Sequence, residues 1–306
     1  MKARKLLCAL MVLSLLFSLC GCNMTDYKKA EEAFAAEDYE TALSAYEALG
    51  DYKDSADKAA VCRYRIALIL EEQKEYETAA SLFEELGSYE DAEKHLSDCR
   101  DRLLEQKVVG RWQTDSIDTT ELFVDLLREQ YEAMGDLESL KLLDCCEFKD
   151  LCMVYCLVLN ENGTYSLYPE KASVDRYIEN IIREMKAGML EYYEQVFRQT
   201  CAEQGVTYDQ LLEFYGASDI ESLLAVLGLN IDDIVAAMKP MYESVIDEEK
   251  EEGKYHVQNG KLYIGNGEDK ITTEYDSEKD ELLCRRENLE DYYEDGKDSM
   301  PFKRSK

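Results

Sequence analysis

The sequence is poor in histidine, proline and positive charge. It holds two histidines, His95 and His256, in 306 residues. Neither has a Ser or Cys motif beside it, so the nucleophile–base pairing of covalent catalysis is not expected and no catalytic residue is assigned. Three prolines and 15 glycines exclude a collagen-like or Pro/Gly-rich low-complexity chain. Lys and Arg total 35 against 66 Asp and Glu, a net charge of −31. Phosphates would be repelled by such a body, which excludes a nucleic-acid partner, and adsorption onto anionic lipid headgroups is excluded on the same ground. The apolar run Leu6–Leu19 has 14 residues, short of the ~20 that a membrane span needs. Yet 46% of the chain is hydrophobic, too much for a disordered polypeptide, and the length suits about two domains with cores of their own. The expectation is a protein that binds and is not an enzyme, without cofactor or metal.

Lys2, Arg4 and Lys5 precede the apolar run. A basic flank on a short apolar segment reads as a secretory signal, and Leu19-Cys20-Gly21-Cys22 follows it. This tetrad resembles the bacterial lipobox, in which a Leu, a variable residue and a small residue precede an invariant Cys. The resemblance implies that residues 1–21 are a lipoprotein signal peptide, cut between Gly21 and Cys22, and that the Cys22 thiol carries a diacylglyceryl group. Cys20 fits less well, because Leu19 would occupy the small-residue position. An uncleaved membrane anchor is the alternative, and it too places the remainder outside the cytoplasm. The implied location is the outer face of the bacterial cytoplasmic membrane, with acyl chains as the membrane partner; each buried methylene contributes roughly 0.8 kcal/mol, and two or three chains hold stably.

Residues 22–106 read as a helical domain, and residues 27–99 within it contain an internal repeat. Glu37-Asp38-Tyr39-Glu40-Thr41-Ala42 aligns with Lys74-Glu75-Tyr76-Glu77-Thr78-Ala79 at an offset of 37 residues, and the same offset relates Tyr27 to Tyr64, Ala30 to Ala67, Tyr46 to Phe83, Asp54 to Asp91 and Cys62 to Cys99. A constant period of this size means stacked supersecondary units. Ala42, Tyr46 and Leu49 recur at helical spacing, giving one stripe that faces a neighbour. Gly50 and Gly87 are expected to end their helices. The pattern resembles the tetratricopeptide repeat, in which small Ala residues let antiparallel helices approach closely while an aromatic fills the next gap. That resemblance assigns a repeat core of Tyr27, Ala30, Tyr39, Ala42, Tyr46, Tyr64, Ala67, Tyr76, Ala79 and Phe83, and implies a protein or peptide partner. The chain departs from the family in its longer period and in lacking the Gly that usually precedes the Tyr-Glu pair. A stalk that only spaces the next domain is the alternative.

Residues 107–290 read as about seven strands interrupted by helices near 119–143 and 173–249. The strands include Val108–Gln113 with the only Trp, Asp150–Leu159 with alternating faces, and a late meander turning at Asn259-Gly260, where Asn-Gly favours positive φ. Capping signals open the inserted helices at Asp118, Thr207, Ser218 and Asn230. Ile178, Ile181, Ile182, Met185 and Met189, with Ile220, Leu223, Leu224 and Leu227, form stripes expected to be core. Gly110-x-Trp112 on the first strand and Arg285-Arg286 on the last resemble the lipocalin closure, in which an Arg lies across the Trp ring, a cation–π contact. The fold class is therefore α+β: a tetratricopeptide-like helical domain, then an antiparallel meander or small barrel-like sheet with inserted helices. An α+β sandwich is the rival. Residues 291–306 read as a charged tail.

Eleven cysteines lack the Cys-x2-Cys knuckles of zinc sites. Cys62 and Cys99, one repeat apart, are expected to be buried and unbridged. Cys152 and Cys156 lie roughly 13 Å apart along one strand face, too far for one metal or one disulfide; a single disulfide among Cys145, Cys146, Cys152, Cys156, Cys201 and Cys284 is the lesser expectation. His95 aligns with Lys58 and is expected on a solvated surface. Two functions fit: an envelope lipoprotein that docks a partner through its repeats, or a binding protein for a small apolar or amphiphilic ligand held between sheet and inserted helices.

Overall fold

The computed structural model describes residues 23–247, 250–265, 270–286 and 299–305; the Gly21–Cys22 junction lies outside them. The chain is α+β, with N-terminal helices followed by a closed eight-stranded antiparallel barrel that carries inserted helices. It divides into two units: the described residues up to Val108 with His256–Leu262, and Val109–Tyr255 with Tyr263–Lys306. Among the described residues no helix is long and apolar enough to cross a membrane.

The first unit contains α1 (residues 23–35), α2 (Tyr39–Leu49), α3 (Ser55–Glu72), α4 (Tyr76–Leu86) and α5 (Ala92–Val108). Asp38 opens α2 by accepting the Thr41 N–H on its side chain at 3.2 Å, which satisfies one orphan donor of the first turn. Gly50 and Gly87 end α2 and α4 at φ of 54° and 57°, backbone that a Cβ would strain. The helices pack as successive neighbours, α2 on α3, α3 on α4 and α4 on α5. Two cores result, and they are translations of one another along the sequence. Tyr27, Ala30, Ala42, Tyr46 and Cys62 fill the first; Ala67, Ala79, Phe83 and Cys99 fill the second. Tyr39, Tyr64 and Tyr76 pack at the margins of these cores, partly buried. The repeat also recurs as a polar clasp. The Tyr27 hydroxyl donates to Asp54 and the Tyr64 hydroxyl to Asp91, each tying one helix pair to the next.

The barrel order is β1-β10-β9-β8-β7-β6-β5-β4. The strands are β1 (Gly110–Thr114), β4 (Tyr155–Leu159), β5 (Thr164–Pro169), β6 (Glu251–Gln258), β7 (Lys261–Ile264), β8 (Ile271–Asp276), β9 (Glu281–Arg286) and β10 (Met300–Arg304). A separate short ladder joins β2 (Ile117–Asp118) to β3 (Cys152–Met153). Helices α6 (Thr120–Met134) and α7 (Leu137–Asp144) lie between β2 and β3; α8 (Lys171–Gln204), α9 (Tyr208–Tyr215), α10 (Ile220–Val226) and α11 (Ile231–Asp247) lie between β5 and β6. Closure removes the exposed edges of an open sheet.

Several expectations are corrected. The supposed charged tail supplies β10, the strand that closes the barrel: Trp112 pairs with Arg304 on one side, and Phe302 with Leu282 on the other. The helix expected over 119–143 is two, broken where Gly135 takes φ 68° and Asp136 caps a new start through the Ser139 N–H. The strand expected over 150–159 breaks at Val154, whose N–H and carbonyl are taken by the Ser173 hydroxyl and the Glu170 N–H. The capping box near residue 218 belongs to Asp219 and Ser222, whereas Thr207 and Gln210 form theirs as expected.

Candidate functional site

The inner face of the barrel follows from register. Cross-strand partners share a face, and residues two apart along a strand return to it. Trp112 pairs with Leu157 and with Arg304, Leu159 with Tyr165, Thr114 with Phe302, and Thr273 with Cys284. These residues, with Tyr255, Leu262, Ile264 and Leu282, are buried, Arg304 alone being partly exposed. The lumen is filled by large side chains. Gly253 stands opposite Tyr165 because a Cβ there would come within 2.8 Å of the ring.

One end of the lumen is organised by a single side chain. The Arg304 guanidinium lies 4.1 Å from the Trp112 ring centroid. Its Nη1 donates to the Val109 carbonyl at 3.0 Å and its Nε to Asp280 Oδ2 at 2.8 Å. Tyr275 meets Trp112 edge-on at 6.2 Å and donates its hydroxyl to Asp280 at 3.0 Å. Arg304, followed by Tyr275, holds the Asp280 carboxyl below its ordinary range; burial, then the Asp280 contact, raises the Tyr275 hydroxyl. Gly110, at φ 139°, leaves room for the guanidinium, since a Cβ would stand 2.9 Å from Nη1. The sequence expectation placed Arg285 or Arg286 over the Trp. Arg285 is instead exposed on β9, and the side chain of Arg286 lies outside the described residues. The arginine that serves came from the segment read as a tail, where a Lys-Arg-Ser-Lys ending masked the strand.

Between barrel and inserted helices runs an open groove of about 580 Å³. Ser166, Tyr168 and Pro169 line it from β5, Lys171, Val174 and Asp175 from α8, Glu243 and Ile246 from the end of α11, and Lys250 from just before β6. Its charges are paired locally: Lys171 with Asp175 at 3.3 Å and Lys250 with Glu252 at 2.7 Å.

No protein-family profile matches this chain. No curated protein matches its sequence, and no solved structure matches its fold.

The inserted helices form one cluster among themselves, around Tyr208, Ile220, Leu223, Leu224, Ile231 and Val235, and α8 also packs toward β3 through Ile178 with Met153 and through Ile181 and Met185 with Leu151. Ile178, Ile181 and Met185 are buried, with Leu223, Leu224, Ile231 and Val235, while Ile182 and Met189 pack partly buried beside them. Leu227, expected in the core, is 45% exposed, because α10 ends at Val226. Val206, Phe214, Tyr215 and Val226 of the same insertion are also exposed, Phe214 to 81% with its ring against Tyr215. Most of the large hydrophobic side chains exposed among the described residues belong to the helical insertions.

The described thiols are free. Burial pushes Cys146 and Cys284 up to about 12, so they are held as unreactive thiols. Cys146 packs so closely on α8 that a Cβ at Gly188 would lie 2.3 Å from its Sγ.

Proposed function

We propose that the chain is a lipid-anchored lipoprotein on the outer face of a bacterial cytoplasmic membrane, acting by binding a macromolecular partner and not by catalysis. The lipobox-like Leu19–Cys22 sequence supports the anchor. A tetratricopeptide-like identity for α1–α5 is supported by paired cores in which Ala30, Ala42, Ala67 and Ala79 are fully buried and by the recurring Tyr–Asp clasp. A lipocalin-like identity for the barrel is supported by the up-and-down strand order and by Arg304 over Trp112. The observation that carries the binding reading is the concentration of exposed apolar side chains on the helical insertions, for exposed apolar surface marks interaction sites and barrel closure does not require these helices. On this reading the partner would meet the insertions, whereas the sequence expectation was that it would meet the repeats.

A photo-crosslinking residue at position 214 of the full chain, in its bacterial envelope, is expected to trap one discrete adduct that disappears when Val226 and Leu227 become Asp. An adduct that persists in that variant, or that forms instead from position 39 on the repeat unit, would refute the placement. A second reading, an amphiphilic small ligand, is favoured by the groove beside β5, where apolar Pro169, Val174 and Ile246 lie between Lys171 and Lys250. Native mass spectrometry of the purified chain separates the two, since this reading alone predicts a co-purifying small mass.

A further inference from the structure

We propose that Glu71, His95 and Asp98 form a binding site for a divalent transition-metal ion, bracing α3 against α5. His95 and Asp98 stand three residues apart on α5 and so share one face; Glu71 reaches them from the last turn of α3. One ligand atom from each of the three lies within 4.8 Å of the others, and His95 Nδ1 is 2.7 Å from Glu71 Oε2. Ligands bonded at ~2.0–2.2 Å in a tetrahedral shell stand roughly 3.4 Å apart, so an ion is admitted by shifts of about an ångström in side chains alone.

The imidazole is already fixed for this role. Its ring stacks on Phe83 at a centroid distance of 5.1 Å and 15° between planes. Nε2 faces the Asp91 carboxylate at 3.5 Å. With Nδ1 on the ion, Nε2–H donates to Asp91, the outer carboxylate that orients metal-bound histidines. One imidazole nitrogen and two carboxylates suit zinc, cobalt or nickel; calcium requires six to eight oxygens.

The repeat gives an independent argument. Thirty-seven residues earlier, the same three positions hold Phe34, Lys58 and Val61, and the Lys58 ammonium simply lies 5.4 Å over the Phe34 ring. The fold therefore packs this corner without an acid or an imidazole. In the second repeat all three positions change together to ligating side chains, while Ala67, Ala79 and Cys99 keep the packing residues of the first.

The test is Co²⁺ and Zn²⁺ titration of the full chain under reducing conditions, read by calorimetry and by visible absorption of cobalt. One equivalent is expected to bind, with cobalt d–d bands and no thiolate-to-metal charge-transfer band. Asp98→Asn, at an exposed position, is expected to weaken binding at least tenfold. The triple variant Glu71→Phe, His95→Lys, Asp98→Val, which installs the first repeat's residues, is expected to fold with unchanged helical circular dichroism and to bind none at this site. Absence of binding by the unmodified chain, full retention in Asp98→Asn, or a thiolate band carried by all the bound cobalt would overturn the proposal.

Discussion

Replacing Arg304 by Ala tests the closure of the barrel most directly. Three interactions are lost. The cation–π contact with Trp112 is worth about 1 kcal/mol at a site where the Arg304 side chain is one-third exposed. The hydrogen bond to the Val109 carbonyl contributes about 1 kcal/mol. The pair with Asp280, a carboxylate 45% exposed, adds no more than about 0.5 kcal/mol, as solvent-screened pairs do. The sum is about 2–3 kcal/mol, or roughly a 30- to 160-fold loss in the folded-to-unfolded ratio of the barrel. The chain has one Trp, buried at the centre of this contact, so its fluorescence reports the barrel alone during urea unfolding. The fluorescence midpoint is expected to fall, and the native emission to shift to the red as water reaches the indole face. Arg304→Lys should recover only part of the loss, since an ammonium cannot place a planar fork over the ring and reach Val109 as well. Arg285→Ala is the control and should leave the midpoint in place. An unchanged midpoint in Arg304→Ala, or an equal fall in Arg285→Ala, would refute the assignment of closure to Arg304.

Two further outcomes concern the helical unit. Tyr46 is fully buried and its hydroxyl has no hydrogen-bond partner among the described residues, while the equivalent residue of the second repeat is Phe83; Tyr46→Phe should therefore stabilise the unit by about 1 kcal/mol, and a loss of thermal stability would show that the hydroxyl is bonded. The Tyr27 clasp holds the Asp54 carboxyl below its ordinary value and raises the Tyr27 hydroxyl, in both cases chiefly through their mutual hydrogen bond. A lowered carboxyl contributes stability that is present above the unfolded value near 4 and lost as pH falls through the folded one; a raised phenol contributes below about 10 and loses its contribution as pH climbs beyond that. The stability gap between the parent chain and Tyr27→Phe, measured by thermal circular dichroism, should accordingly be widest between pH 5 and pH 9 and shrink in acid; a gap that is constant down to pH 2.5 would count against the clasp.

What could be read from the sequence was whatever repeats or obeys local rules. The offset of 37 residues delivered the helix pairs and their buried alanines, because each position is tested twice within one chain. Asn259-Gly260 delivered the β6–β7 hairpin through its turn chemistry, with Gly260 at φ 74°. β10 was missed for two local reasons: Pro301 removes a ladder donor, and Lys303, Arg304 and Lys306 give it the composition of a frayed end. Pairing with β1 starts only at Phe302, which is how the proline is tolerated. The Trp–Arg closure was legible as a type of contact but not as a residue, since nothing local in Arg304 distinguishes it from Arg285. His95 was misplaced on a solvated surface because its counterpart is Lys58; the stacking on Phe83 and the contact with Glu71 arise between helices, where no spacing rule reaches.

The seam between β1 and β10 also governs the timing of assembly. Ser305 and Gln113 are joined by a hydrogen bond across 192 residues of chain, so during synthesis the first barrel strand waits, with one hydrogen-bonding edge open, for almost two-thirds of the polypeptide to emerge. The helical repeats, built from neighbours in sequence, need no such delay and can condense first. Until residue 304 is delivered, β1 and β9 present two complementary unpaired edges. Mistakes in folding should therefore take the form of one molecule's β10 completing another molecule's barrel.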